Sequence, residues 1–239
     1  MTERAHASPG AAEITAAVGA RGLAVLGGFH PGPADGAPET CGTLLLLGPG
    51  PDFWPIFADS PERRDGGADP LDRWSARVVG GLAREFGAQA LFPFGGPPFQ
   101  PFLAWARRSG RAWPSPVGML VHAEAGLFVS YRAALAFGDR FAVDDPAVMP
   151  CPGCAAPCLS ACPVGALTGA GYDVPRCHAH LDTPAGAECL GGGCLVRRAC
   201  PVGPGQPAAQ SAFHMAAFHK PLAGRRAVHI SQRGPVRSP

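Results

Sequence analysis

Eight of the nine cysteines in this 239-residue chain fall between positions 151 and 200, a density at which thiols serve as ligands or as cross-links. The first group reads Cys151-Pro-Gly-Cys154-Ala-Ala-Pro-Cys158-Leu-Ser-Ala-Cys162-Pro163, or C-x2-C-x3-C-x3-C-P. The second is Cys177, Cys189, Cys194 and Cys200-Pro201. Thiolates delivered from neighbouring turns of a tight loop can enclose one small inorganic body, the geometry that an iron–sulfur cubane needs. Pro163 and Pro201 fix the chain direction just after their cysteines. The glycines and alanines between ligands leave backbone amides free to approach sulfur, where hydrogen bonds tune a cluster's potential. Two other chemistries compete. Zinc usually takes two C-x2-C pairs or Cys/His mixtures. A disulfide framework belongs to oxidising compartments, whereas the opening Met-Thr-Glu-Arg has no secretory pattern and points to the cytoplasm.

The bacterial ferredoxin run C-x2-C-x2-C-x3-C-P is one residue shorter, and its fourth cysteine serves the other cluster. By that rule Cys151, Cys154, Cys158 and Cys200 form one [4Fe–4S] set, and Cys162, Cys177, Cys189 and Cys194 the other. The end of the second group is stretched to C-x4-C-x5-C-P. Gly191-Gly192-Gly193 either absorbs the extra length, since glycine tolerates unusual dihedrals, or marks a site that has decayed. One or two clusters are therefore expected. His178 and His180 follow Cys177 as substitute ligands, although histidine ligation of the Rieske type goes with fewer cysteines. Cys41 stands alone and reads as a small buried apolar group.

The elements that must hold this segment are short, because 33 glycines and 28 prolines punctuate the chain. Helices are expected over 11–18, 71–86, 102–108 and 210–219, and strands over 22–27, 43–47 and 88–94. In 71–86, Trp74, Val78, Leu82 and Phe86 share one face, and Asp69 or Asp72 can cap the start. Segments 118–122 and 127–136 read as a hairpin around Ala123-Glu124-Ala125-Gly126. Phe92, Phe94, Phe99, Phe102 and Trp105 read as core packing under a turn, with a flat cofactor-stacking wall as the alternative. No run approaches the roughly 18–20 apolar residues of a membrane span. A net charge of +2 gives no case for nucleic acid, and the basic tail with Lys220, Arg225, Arg226, Arg233 and Arg237 reads as solvated.

The run Cys162-Pro-Val-Gly-Ala-Leu167, then Asp173-x2-Arg176-Cys177, then three cysteines ending in Cys-Pro, resembles the ferredoxin-like part of epoxyqueuosine reductases and reductive dehalogenases. Upstream, Val121-His122-Ala123-Glu124-Ala125-Gly126-Leu127-Phe128 resembles the strand entry His-Pro-x-Phe-Gly-x-Trp of the epoxyqueuosine enzymes and a segment of cobalamin-processing proteins, with alanine after His122 in place of proline. The resemblance implies an α+β chain: a nitroreductase-like α/β domain at 1–145, a ferredoxin-like module at 146–205, and a helix and tail at 206–239. It implies cobalamin near His122, Phe128 and Arg132, reduced by the clusters, while the family's acidic proton donor has no counterpart and no catalytic residue is assigned. It also implies a redox partner protein and a small-molecule or corrinoid substrate. The epoxyqueuosine enzymes' tRNA-gripping helical repeats have no counterpart after residue 205. The expected functions are thus an iron–sulfur electron carrier, a corrinoid-dependent reductase or cobalamin-processing enzyme, or a zinc-stabilised interaction module.

Overall fold

The computed structural model describes residues 10–219. The chain begins with α1 (Ala11–Gly19), β1 (Leu23–Phe29) and β2 (Thr43–Pro49). Helices α2 (Phe53–Ala58), α3 (Pro61–Arg64) and α4 (Pro70–Phe86) follow, then β3 (Gln89–Leu91) and α5 (Phe102–Arg108). Three more strands, β4 (Ala112–Pro114), β5 (Leu120–His122) and β6 (Ala133–Phe137), lead to the cysteine segment. That segment holds β7 (Leu167–Thr168), β8 (Gly171–Tyr172), α6 (Val174–Leu181), α7 (Ala187–Gly192), α8 (Leu195–Arg198) and α9 (Ala208–His219). The fold is mixed α and β with small antiparallel sheets.

The main sheet has the order β1-β2-β6-β3, all pairs antiparallel. Its centre is the run Leu44-Leu45-Leu46-Leu47, which is apolar at every position because both faces are covered. Leu45 and Leu47 pack with Ile14, Val18, Phe57, Trp74 and Leu82 on one side. Leu44 and Leu46 pack with Phe102, Trp105 and Ala106 on the other. Helix α4 carries Trp74, Val79, Leu82 and Ala83 into the first core and ends at Gly87, whose φ of 64° suits glycine. Asp69 occupies its N-cap position without a side-chain cap bond, and Asp72 is used elsewhere: it pairs with Arg132, whose Nε donates to Ser75 Oγ at 3.2 Å.

The hairpin expected from 118–122 and 127–136 does not form. His122 and Gly126 exchange a local bridge around the turn, but β5 pairs with β4 and β6 enters the main sheet between β2 and β3. The third strand is also shorter than 88–94. Val117, Val121 and Leu127 pack with Cys158, Leu167 and Val196, so the β4–β5 ribbon shares a core with the cysteine segment across residue 146. Helix α9 packs on both halves. Phe213 lies against Phe57 and Trp54 with ring centroids 5.3 and 5.8 Å away, while Met215 and Phe218 pack with Leu181 and Cys189. The basic tail from Lys220 lies outside the described residues. Among the described residues no helix is long and apolar enough to cross a membrane.

Candidate metal centres

Cys151, Cys154, Cys158 and Cys200 line one small cavity, of about 20 Å³, together with Pro116, Val121, Leu127 and Pro201. Here the additional residue of the C-x3-C spacing has a visible place. Ala156 takes the left-handed conformation, φ 49°, uncommon for a residue with a side chain, and its N–H donates to Cys154 Sγ at 3.4 Å. Cys200 reaches the site from the far end of the segment. It is held there by the His122 turn: a methyl at Gly126 would lie 2.1 Å from Val202 O, and one at Gly203 would lie 2.8 Å from Glu124 O.

Cys162, Cys177, Cys189 and Cys194 line a second cavity, of about 180 Å³. Cys177 is carried by α6, whose start is capped by Asp173 accepting from Arg176 N at 3.0 Å. Cys189 sits in α7 and Cys194 at the start of α8. The glycine run joins them: Gly191 and Gly192 finish α7, and Gly193 turns the chain at φ 91° where a side chain would strike Ser211. The stretched spacing thus returns both cysteines to one cavity. Ala166 N donates to Cys162 Sγ at 3.2 Å and Tyr172 OH to Cys177 Sγ at 3.4 Å.

Electrostatics divide the thiols in the same way. Burial pushes Cys151 and Cys158 up, and the sulfurs that add to the rise are Cys200 and Cys154, with Cys158 also acting on Cys151. Burial likewise raises Cys177 and Cys189, with Cys194 and Cys162 adding to both. Cys162 is the exception. Burial is again the largest influence, but the amides of Leu167, Val164, Ala166 and Gly165 together outweigh it and bring its pKa below the ordinary thiol value. Gathered thiols whose charged forms repel one another are stabilised as thiolates by a bound cationic centre. Among the described residues no three His, Cys, Asp or Glu side chains converge on a point suited to a single metal ion; each set rims a cavity instead.

His180 also lines the second cavity, and its Nε2 is buried with no hydrogen-bond partner among the described residues. His178 packs its ring edge-on against Phe218 at 4.7 Å. His122 is 1% exposed; its Nε2 lies 3.0 Å from Leu26 O and its Nδ1 accepts from the amides of Glu124 and Ala125 at 3.1 and 3.2 Å. Both ring nitrogens are thereby committed to the backbone. Burial lowers its pKa, so the neutral ring is the form that holds the turn. Phe128 and Arg132 line two adjoining cavities, neither of which includes His122. One, of about 820 Å³, is bounded by Arg132, Ser130, Gln206, Gln210, His214 and residues 66–72. The other, of about 560 Å³, includes Phe128 and shares Ser130, Gln206 and Gln210. Of the aromatic stretch, Phe102 and Trp105 are core, Phe92 and Phe94 stack at 5.0 Å, and Phe99 is exposed. Cys41 packs half-buried on the second core, its Sγ 3.3 Å from Thr43 O.

Arg197 and His214, which no spacing rule singles out, both line the Cys162-set cavity. No protein-family model, curated protein or solved structure matches this chain.

Proposed function

We propose that this chain is an iron–sulfur electron-transfer protein holding two [4Fe–4S] clusters, one on Cys151, Cys154, Cys158 and Cys200 and the other on Cys162, Cys177, Cys189 and Cys194. The observation that carries the reading is the interleaving of the two sets: Cys200 joins the first loop across Cys162 to Cys194, while Cys162 leaves that loop for the second set. This crossing is the arrangement of two-cluster ferredoxins. The sulfur-directed amides and the buried His180 Nε2, which has no partner among the described residues, also suit a bound cluster, whose sulfides accept hydrogen bonds. When bound, the clusters supply one-electron chemistry; the chain supplies the thiolates, the amide donors and the apolar cover of Leu127, Met215 and Phe218. A ferredoxin-like fold for the cysteine segment, a nitroreductase-like one for the first half and a cytoplasmic setting belong to this proposal.

The test is a pair of variants purified anaerobically. Cys200→Ser and Cys162→Ser should each lose about four irons of about eight, and the cluster that remains should differ between them. If both variants lose the same cluster, the crossed assignment is wrong.

The large cavity favours a second reading, a corrinoid-dependent reductase fed by the clusters. Its volume of about 820 Å³ lies within the roughly 300–1,000 Å³ of small-molecule sites. His214 lines both it and the Cys162-set cavity. Hydroxocobalamin added before desalting should stay with the protein if this reading holds; corrinoid bands that wash away leave the carrier alone.

A further inference from the structure

The two thiol sets sit in unlike electrostatic surroundings. The Cys151-set cavity is walled by Ser115, Pro116, Val121, Leu127, Val202 and further prolines and alanine, and among the described residues no acidic or basic side chain lines it. The Cys162-set cavity has Arg197 in its wall, along with the Tyr172 hydroxyl that donates to Cys177. Arg197 Nη1 donates to Leu127 O at 3.0 Å, which fixes the guanidinium in place. Among the described residues no carboxylate forms an ion pair with it. Burial disfavours its charge, and the neighbouring Cys194 sulfur favours it. An arginine remains protonated even so. The chain therefore keeps a buried cation in the wall of the Cys162-set cavity and not in that of the Cys151-set cavity.

We propose that Arg197 makes the two centres unequal, holding a cluster on the Cys162 set at a higher reduction potential than one on the Cys151 set, so that electrons collect beside the large cavity. This deepens the iron–sulfur reading and rests on it. A cluster bound by four thiolates is net negative and gains a further charge on reduction. A fixed cation in a low-dielectric site therefore favours the reduced form. The step is a one-electron exchange: the Cys151-set cluster is oxidised by one electron, the Cys162-set cluster is reduced by one, and no bond forms or breaks. A low-potential one-electron donor protein supplies the electron to the first centre. His214 is the wall between the second centre and the cavity of about 820 Å³.

The experiment is an anaerobic redox titration of the full chain followed by electron paramagnetic resonance, with dithionite as reductant, on the wild type, Arg197→Gln and Arg197→Lys. The wild type should give two resolved waves. In Arg197→Gln the higher wave should fall by at least tenfold in the equilibrium constant for reduction, which is about 59 mV for one electron, while the lower wave stays. Arg197→Lys should titrate near the wild type. Two clusters that titrate together in the wild type, or a glutamine variant that moves the lower wave or neither, would overturn the proposal. If the glutamine variant fails to load, the wild-type separation decides alone. Protein without acid-labile sulfide would remove the underlying iron–sulfur reading instead, an outcome distinct from clusters of equal potential.

Discussion

A methyl group at Gly126 would meet Val202 O at 2.1 Å and Cys200 Sγ at 3.2 Å, at a φ of 55° that already disfavours a side chain. That glycine lets the His122 turn close on the chain that brings Cys200 to its set. Gly126→Ala should cost at least about 1–3 kcal/mol from the backbone conformation alone. It should also lower the iron content of the Cys151 set selectively, read by denaturation and by iron analysis. His122 acts on the same turn through three backbone hydrogen bonds. The sequence marks both residues as part of one short segment. It does not reveal that the segment faces the cysteines, because that contact joins positions more than seventy residues apart. The cysteine sets were legible for a contrary reason: cysteine followed by proline carries a rule about which set it joins, and the cavities follow that rule. Arg197 and His214 carry no such mark, since an arginine or a histidine in a helix reads as an ordinary surface residue until its surroundings are known.

At the scale of elements, helices with a clear apolar face and strands with a continuous apolar run are read well. Helices α1, α4, α5 and α9 and strands β1 and β2 fall within a few residues of their expected bounds. The β5–β6 connection is misread because a turn with glycine at its end and apolar flanks has the local look of a hairpin. β6 lies instead between β2 and β3, where Ala133 and Leu135 are fully buried in the first core. Trp74 shows how much rests on such burial. It is 1% exposed and packs edge-on against Phe53 and Phe57 at 5.3 and 5.9 Å. Trp74→Ala should destabilise the protein by about 3–5 kcal/mol, measured by urea unfolding. Because Phe57 also touches Phe213, the loss should extend to α9, read as faster amide exchange in that helix than distance from Trp74 alone would give.

Taken whole, the molecule joins a sheet half to a cysteine half through α9 and the His122 turn, and it should weaken in mild acid for reasons spread over both. Burial lowers the pKa of His122, and burial with the Arg197 and Arg132 charges brings His214 down to about 4. The unfolded chain takes up those protons near pH 6.5 and the folded one only at lower pH, so stability is full above pH 6.5 and falls as pH drops toward the folded values. Glu62 and Asp65, held low by Arg77 and Arg73, lose their contribution only below their ordinary values of 4.5 and 3.8. Urea midpoints should therefore decline between about pH 6.5 and 4.5, and His214→Phe should remove part of that slope. The central claim meets its most direct test in the iron, acid-labile sulfide and zinc content of protein purified without oxygen. The account predicts about eight irons and eight sulfides per chain, with the absorption of [4Fe–4S] clusters; zinc in the absence of sulfide would contradict it.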